Sequence, residues 1–206
     1  RMHGRLLAEG LPAPFSIVVP REVSATFRLS AEQREQLGEP FVIKPTHGYG
    51  RRGVVLDARS EADLGRSVSA WPNPGYLLQR LVVPGRAGER PAYWRVFYVF
   101  GEIFICWWNC FTDQYSELKD SEISEVQIWN LQEIARRLAR ITGMNFFSSE
   151  VAQLESGELM LIDYVNDQCH MLSQSAHPRM GVPDAIVRAI ARRLVEAARD
   201  LIAPRN

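Results

Sequence analysis

Two carboxylates set across a short hairpin constrain this chain more than any other feature of it. Phe146-Phe-Ser-Ser-Glu-Val-Ala-Gln-Leu154 and Leu159-Met-Leu-Ile-Asp-Tyr-Val165 both read as strands, and only Glu155-Ser-Gly-Glu158 separates them. With Ser156-Gly157 at the tip, Leu154 faces Leu159 and Glu150 faces Asp163. Side chains directly opposed on an antiparallel pair lie about 5 Å apart on one face of the sheet. Two ionised carboxylates at that spacing repel by roughly 3 kcal/mol at an effective dielectric of about 20. A wet outer face would relieve this, and so would a one-residue slip that sends the two to opposite faces. A bound divalent cation would relieve it too. Hard oxygen donors suit Mg²⁺, and Asn166, just past the second strand, offers a neutral third oxygen. A shared metal predicts that the isosteric amide at either position leaves metal-free stability unchanged or raised.

A second feature is Phe41-Val-Ile-Lys-Pro-Thr-His-Gly-Tyr-Gly-Arg-Arg-Gly-Val-Val-Leu56, an apolar strand, a glycine-rich loop and a second apolar strand. Pro45 ends the first strand, and Gly48, Gly50 and Gly53 permit positive φ and close backbone approach. Successive backbone N–H groups in such a loop form an anion-binding concavity. Of the 24 Lys and Arg residues only Lys44 and Lys119 are lysines, so a lysine at the end of this strand reads as a point charge kept for phosphate. The pattern is not the Walker loop, because Gly53 leads into strand residues and no Gly-Lys-Ser/Thr opens a helix. A third feature is Arg95, in the middle of the aromatic strand Ala92-Tyr-Trp-Arg-Val-Phe-Tyr-Val-Phe100. A buried guanidinium needs an anionic partner, either a core carboxylate or a phosphate.

These segments resemble the ATP-grasp superfamily, chiefly its carboxylate–amine and carboxylate–thiol ligases, over about residues 5 to 170. Leu6-Leu-Ala-Glu-Gly-Leu-Pro-Ala-Pro14 is similar to the family's opening helix and turn, and residues 41 to 54 to its phosphate-covering strand and loop. Tyr76-Leu-Leu-Gln-Arg-Leu-Val-Val83 is similar to its hinge strand. The resemblance implies an α+β fold of two lobes, residues 1–80 and 81–206, whose antiparallel sheets clasp a nucleotide. It implies ATP and Mg²⁺, as one ion or two, with Glu150, Asp163 and Asn166 as metal ligands. Lys44, His47, Gly48, Tyr49, Gly50 and Gly53 would bind the phosphates, and the backbone around Gln79, Arg80, Leu81 and Val82 the adenine edge. Lys44 and Arg95 would be the catalytic cations. The implied reaction makes an acyl phosphate from a small-molecule or peptide carboxylate, which an amine or thiol then attacks, releasing ADP and phosphate. A phosphotransferase on the same fold and a non-catalytic nucleotide-binding module are the alternatives.

The chain departs from the family pattern in several places. Arg80 follows the hinge glutamine where an acidic residue is common, and Trp94 precedes Arg95 where an Asp is. The arginine that often follows the next strand is replaced by Asn109 or, further on, Lys119. The usual Glu-x-Asn becomes Asp163-Tyr-Val-Asn166, so a bulge or strand end must turn Asn166 back to the metal face, with Asp167 as its substitute. The helical lysine that often meets phosphate is matched only by Arg1 or Arg5. The domain that usually precedes this helix is expected on a longer chain or a partner subunit.

Zero net charge, from 24 basic and 24 acidic residues, argues against a general nucleic-acid or membrane-surface binder. The longest apolar run, Val96 to Trp108, is broken by Gly101-Glu102 and too short to span a bilayer, so the cytoplasm is the expected compartment. Cys106, Cys110 and Cys169-His170 match no zinc spacing and no disulfide framework. Capping boxes open helices at Ser30 and Ser60. Amphipathic helices follow over 125–142, through Val126, Trp129, Ile134, Leu138 and Ile141, and over 183–202, through Ile186, Ile190, Leu194 and Ala198. The loop 166–182 carries Cys169, His170, Ser173, Gln174, Ser175, His177 and Arg179 and is the expected acceptor-recognition segment.

Overall fold

In a computed structural model, residues 2–167 and 169–202 are described; Arg1, Gln168 and residues 203–206 lie outside them. Among the described residues the helices are α1 (Met2–Ala8), α2 (Ala31–Leu37), α3 (Leu64–Ala70), α4 (Glu125–Thr142) and α5 (Asp184–Ile202). The strands are β1 (Ser16–Pro20), β2 (Phe41–Pro45), β3 (Val55–Ala58), β4 (Gly75–Arg80), β5 (Arg86–Ala87) and β6 (Arg90–Pro91), followed by β7 (Tyr93–Val99), β8 (Glu102–Asn109), β9 (Gln114–Ser116), β10 (Phe146–Gln153) and β11 (Leu159–Asn166). The chain divides into two units, Pro14–Val82 and Arg1–Ala13 with Val83–Asn206.

The unit Pro14–Val82 is a four-stranded antiparallel sheet, ordered β1-β4-β2-β3. Phe41, Ile43, Tyr76 and Leu78 point to one face and are buried with Leu37 of α2 and Leu64 of α3. Alternation puts Lys44 and Val42 of β2 with Leu77 and Gln79 of β4 on the opposite face. The helices start where local chemistry starts them. Ser30 and Gln33 exchange side chain and backbone hydrogen bonds ahead of α2, and Gly38 closes that helix at φ 72°.

The other unit is a five-stranded antiparallel sheet, ordered β11-β10-β7-β8-β9, plus the β5–β6 ribbon. Trp94 and Val96 of β7, Phe147 and Val151 of β10, and Leu161 of β11 form a core with Leu131, Ile134, Leu138 and Ile141 of α4. That helix begins on a Ser124–Gln127 capping box and ends on Gly143 in the left-handed region. The expected apolar stripe of α4 is shifted: Val126 and Trp129 are exposed, and the buried face starts at Leu131. In α5 Ile190 and Ala197 are buried and Ala198 is exposed, so the last member of that stripe is also one residue off.

The first thirteen residues differ from the expected division of lobes. Leu6 and Leu11 are buried in the α4 core. The Arg5 guanidinium donates to the carbonyl of Ile141 at 2.8 Å, and the Leu161 N–H donates to Pro12. The opening helix therefore packs as part of the unit that follows residue 82, and Arg5 closes the end of α4. Replacing Leu6 with Ala should cost about 2–5 kcal/mol and speed amide hydrogen exchange in α4 and β11, with β2 and β4 unaffected, as hydrogen-exchange mass spectrometry would show.

Candidate functional site

The strand register decides which polar residues meet. β10 and β7 pair without interruption from Phe146 opposite Val99 to Ala152 opposite Tyr93, which sets Glu150 opposite Arg95. On its other edge β10 meets β11, where Glu150 is opposite Asp163 and Ser148 opposite Asn166. Arg95, Glu150 and Asp163 thus occupy one rung across three strands.

The Glu150–Asp163 pairing is reached by a route the hairpin count misses. Near the turn Gln153, not Leu154, faces Leu159, and the Leu154 N–H instead donates to the Glu158 carbonyl. A bulge at Ile162 on β11 then restores the register at Glu150. A second bulge, over Tyr164-Val165, brings Asn166 back opposite Ser148. Its signature is that the consecutive residues Tyr164 and Val165 both pack against the α4 core, which leaves Asp163 and Asn166 on the other face. The bulge demanded by the spacing Asp163-Tyr-Val-Asn166 is therefore present. Asp167 is exposed.

Arg95 does not wait for a ligand to find its counter-charge. Its Nη2 lies 2.9 Å from Oε1 of Glu150; Arg95 is buried and Glu150 half-buried. Its guanidinium sits 4.8 Å from the Trp108 ring centroid. Burial works against the charge on Arg95, but the Glu150 carboxylate, with Tyr115 and Asp163, outweighs it and holds the group above the ordinary arginine pKa. Arg95 Nε is buried with no hydrogen-bond partner among the described residues. The carboxylate repulsion inferred from sequence is thus partly met by a protein cation. The rung keeps a net charge of −1, from two carboxylates and one guanidinium, and its oxygen donors with the Asn166 amide fit a hard divalent cation. No cluster of three or more His, Cys, Asp and Glu stands together among the described residues, so the candidate set is two carboxylates and an amide.

The phosphate-loop residues gather at one end of the other sheet. Lys44 is half-buried at the end of β2, and His47, Gly48, Tyr49 and Gly50 are exposed beyond it. Asn73, 4% exposed, clamps the base of the loop: its Oδ1 accepts from Thr46 Oγ1 at 2.9 Å and from the His47 N–H at 3.1 Å, and its amide donates to the His47 carbonyl. Gly53, at φ 71°, lies so close to Trp71 that an added Cβ would come within 2.6 Å of the Trp71 Cβ. Trp71 and Tyr49 meet edge to face at 5.9 Å, with the Arg52 guanidinium within 5.2 Å of both rings. The N–H groups of Arg52 and Val54 donate within the loop to the carbonyls of Tyr49 and Arg51. Sequence reading missed both Asn73 and Trp71, although Trp71-Pro-Asn-Pro-Gly75 carries an obvious turn signal. Gln79 is buried beside Ser16, its Nε2 3.3 Å from Ser16 Oγ. Arg80 is exposed and donates to the Gln36 carbonyl, and Leu81 and Val82 follow it half-buried.

The expected acceptor segment is held by its own contacts. Ser173 bridges Val182, Gln174 Nε2 donates to the Tyr115 carbonyl at 2.9 Å, and His170 stacks on the Tyr115 ring at 6.1 Å. Cys169 donates weakly to the Asn166 carbonyl at 3.4 Å, which sets it beside the metal-ligand candidates, and burial raises its pKa. Cys106 is fully buried next to Arg95, and burial pushes its thiol up to about 12.

No family model and no curated protein matches the chain. Solved structures do. D-alanine–D-alanine ligase from Helicobacter pylori aligns at 12% identity over 94% of this chain and 58% of that one, with a TM-score of 0.63. VanG D-Ala:D-Ser ligase from Enterococcus faecalis aligns at 15% identity over 94% and 60%, with a TM-score of 0.62. The ATP-grasp ligase PsnB, complexed with precursor peptide PsnA2 and AMPPNP, aligns at 15% over 93% and 56%, with a TM-score of 0.57. The chain has the ATP-grasp fold, and it spans between 56% and 60% of the length of these ligases.

The ion pair makes the two carboxylates unequal, contrary to the expectation from the hairpin alone. Glu150→Gln strips a buried guanidinium of its counter-charge, a change that costs about 3–5 kcal/mol, near the lower end because the amide oxygen still accepts. Asp163→Asn should change metal-free stability by about 1 kcal/mol or less. Urea unfolding without divalent cations measures both, and equal losses would contradict the asymmetry. Cys106 adds a pH term. Its unfolded thiol ionises near 9.0 and its folded thiol near 12, so this stabilisation is complete below about pH 9 and is lost as pH rises towards 12. The fall in unfolding free energy between pH 9 and 11 should be shallower in Cys106→Ala.

Proposed function

We propose that this chain carries the nucleotide-binding and catalytic part of an ATP- and Mg²⁺-dependent ligase, which activates a carboxylate for attack by an amine or thiol. The observation that carries this reading is the rung Arg95–Glu150–Asp163, with Asn166 turned onto the same face by a bulge. A sheet face that collects one fixed cation, two carboxylates and an amide, on the fold of ATP-dependent ligases, suits the handling of a metal–polyphosphate pair. In this reading a substrate carboxylate oxygen attacks the terminal phosphorus, ADP leaves with the broken bond's electrons, and the acceptor nitrogen or sulfur then displaces phosphate.

Each residue's part follows from charge and place. Lys44, at the mouth of the loop, would neutralise the phosphates, and His47 with the backbone N–H groups of Gly48, Tyr49, Gly50 and Gly53 would seat them, on a loop base already ordered by Asn73. The hinge around Gln79 to Val82 would present backbone groups to the base. Arg95 would oppose the charge that gathers on the transferred phosphoryl group, and its unpartnered Nε is a donor suited to that task. Glu150, Asp163 and Asn166 would hold Mg²⁺, which when bound supplies positive charge against the phosphate oxygens. Catalysis of this kind is positioning and electrostatics.

The substrate is a small-molecule or peptide carboxylate; a peptide partner is what PsnB carries in its own structure. A further domain or partner subunit completes the acceptor site in this reading, with the loop 169–182 on this chain's side of it. No described helix is long and apolar enough to cross a membrane. Zero net charge argues against nucleic acid as a partner, and the cytoplasm is the proposed compartment. The test is the melting temperature with ATP, with Mg²⁺ and with both. A rise of several degrees that needs both ligands and disappears in Lys44→Ala is expected; no rise with both present would overturn nucleotide binding by this chain.

A further inference from the structure

The Glu150 carboxylate is held at both oxygens from one strand. Arg95 Nη2 approaches Oε1 at 2.9 Å, and the Tyr93 hydroxyl donates to Oε2 at 2.9 Å. Tyr93 and Arg95 are alternate residues of β7 and share its face, and the next residue on that face, Phe97, has no polar atom to offer. Tyr93 is 4% exposed, and its ring lies 5.3 Å from that of Trp108, which in turn covers Arg95.

An ionised carboxylate has about four acceptor sites, two on each oxygen. A donor on each oxygen removes the rotation that a long glutamate side chain otherwise keeps. Partners that orient a ligating side chain in this way typically contribute about 10–100-fold to metal affinity. We propose that Tyr93 is a positioning residue that fixes the Glu150 carboxylate for a divalent cation shared with Asp163. This deepens the metal-site reading given above and rests on it. A tyrosine that only fills the core would affect stability and leave metal affinity alone.

The experiment measures Mn²⁺ binding to the 206-residue chain without nucleotide, by electron paramagnetic resonance. The wild-type protein, Tyr93→Phe and Glu150→Gln are compared, and ATP affinity at saturating Mg²⁺ is measured alongside. Expected are loss of Mn²⁺ binding in Glu150→Gln, about tenfold or greater weakening in Tyr93→Phe, and unchanged ATP affinity for Tyr93→Phe once Mg²⁺ saturates. Equal Mn²⁺ affinity in wild type and a folded Tyr93→Phe overturns the proposal, and so does a wild-type protein without Glu150-dependent Mn²⁺ binding. Should Tyr93→Phe fail to fold, 3-fluorotyrosine-labelled wild-type protein decides: a fluorine resonance must move with the Mn²⁺-site midpoint when Mg²⁺ is added, and the absence of any such shift overturns the proposal. Failure of the ATP reading looks different: Tyr93-dependent metal binding would persist with no Lys44-dependent response to ATP.

Discussion

The ion pair between the buried Arg95 and the half-buried Glu150 is the constraint on which the larger unit depends. An arginine in the centre of an aromatic strand cannot shed its charge, and without a partner it would cost several kcal/mol. Its partner is the residue directly opposite on β10, so the pair also fixes strand register. A slip of one residue would place Ser149 or Val151 opposite the guanidinium and turn Glu150 into the α4 core beside Trp94. Both the folding of the five-stranded sheet and the charge at its candidate site follow from one rung.

The same rung explains why β11 is irregular. Its turn-proximal residues pair in a register that would carry Asp163 past Glu150. The bulge at Ile162 corrects this, and the bulge at Tyr164-Val165 spends two apolar residues on the core to return Asn166 to the polar face. Bulges interrupt ladder hydrogen bonds and recur where a side chain must be re-aimed. In the smaller unit ordering is achieved differently. There the glycine-rich loop is tied by a buried asparagine and packed against Trp71, so its base is set before any anion arrives.

Much of this was readable from the chain. The helices at 31–37 and 125–142 announce themselves through Ser-to-Gln capping boxes and following glycines, which act over a few residues. The strand carrying Arg95, the hairpin carrying Glu150 and Asp163, and the loop after Lys44 were each visible as alternation or turn chemistry. What escaped had its cause in distant partners. Val126 and Trp129 fit the helical period but lie on α4 beyond the reach of the sheet. Asn73 looks like a turn residue until the His47 backbone is folded against it, and Tyr93 looks like one more aromatic until Glu150 arrives from over fifty residues away.

By itself, then, the sequence determined the elements, the glycine turns and the hairpin that carries the two acids, because capping, alternation and turn geometry are local. Only the tertiary structure decided that Arg95 neutralises one of those acids, that α1 belongs with the core formed by α4, and how β11 bulges. Those outcomes depend on burial and register between strands far apart in the chain. There the cost of an unpaired buried charge outweighs any local preference.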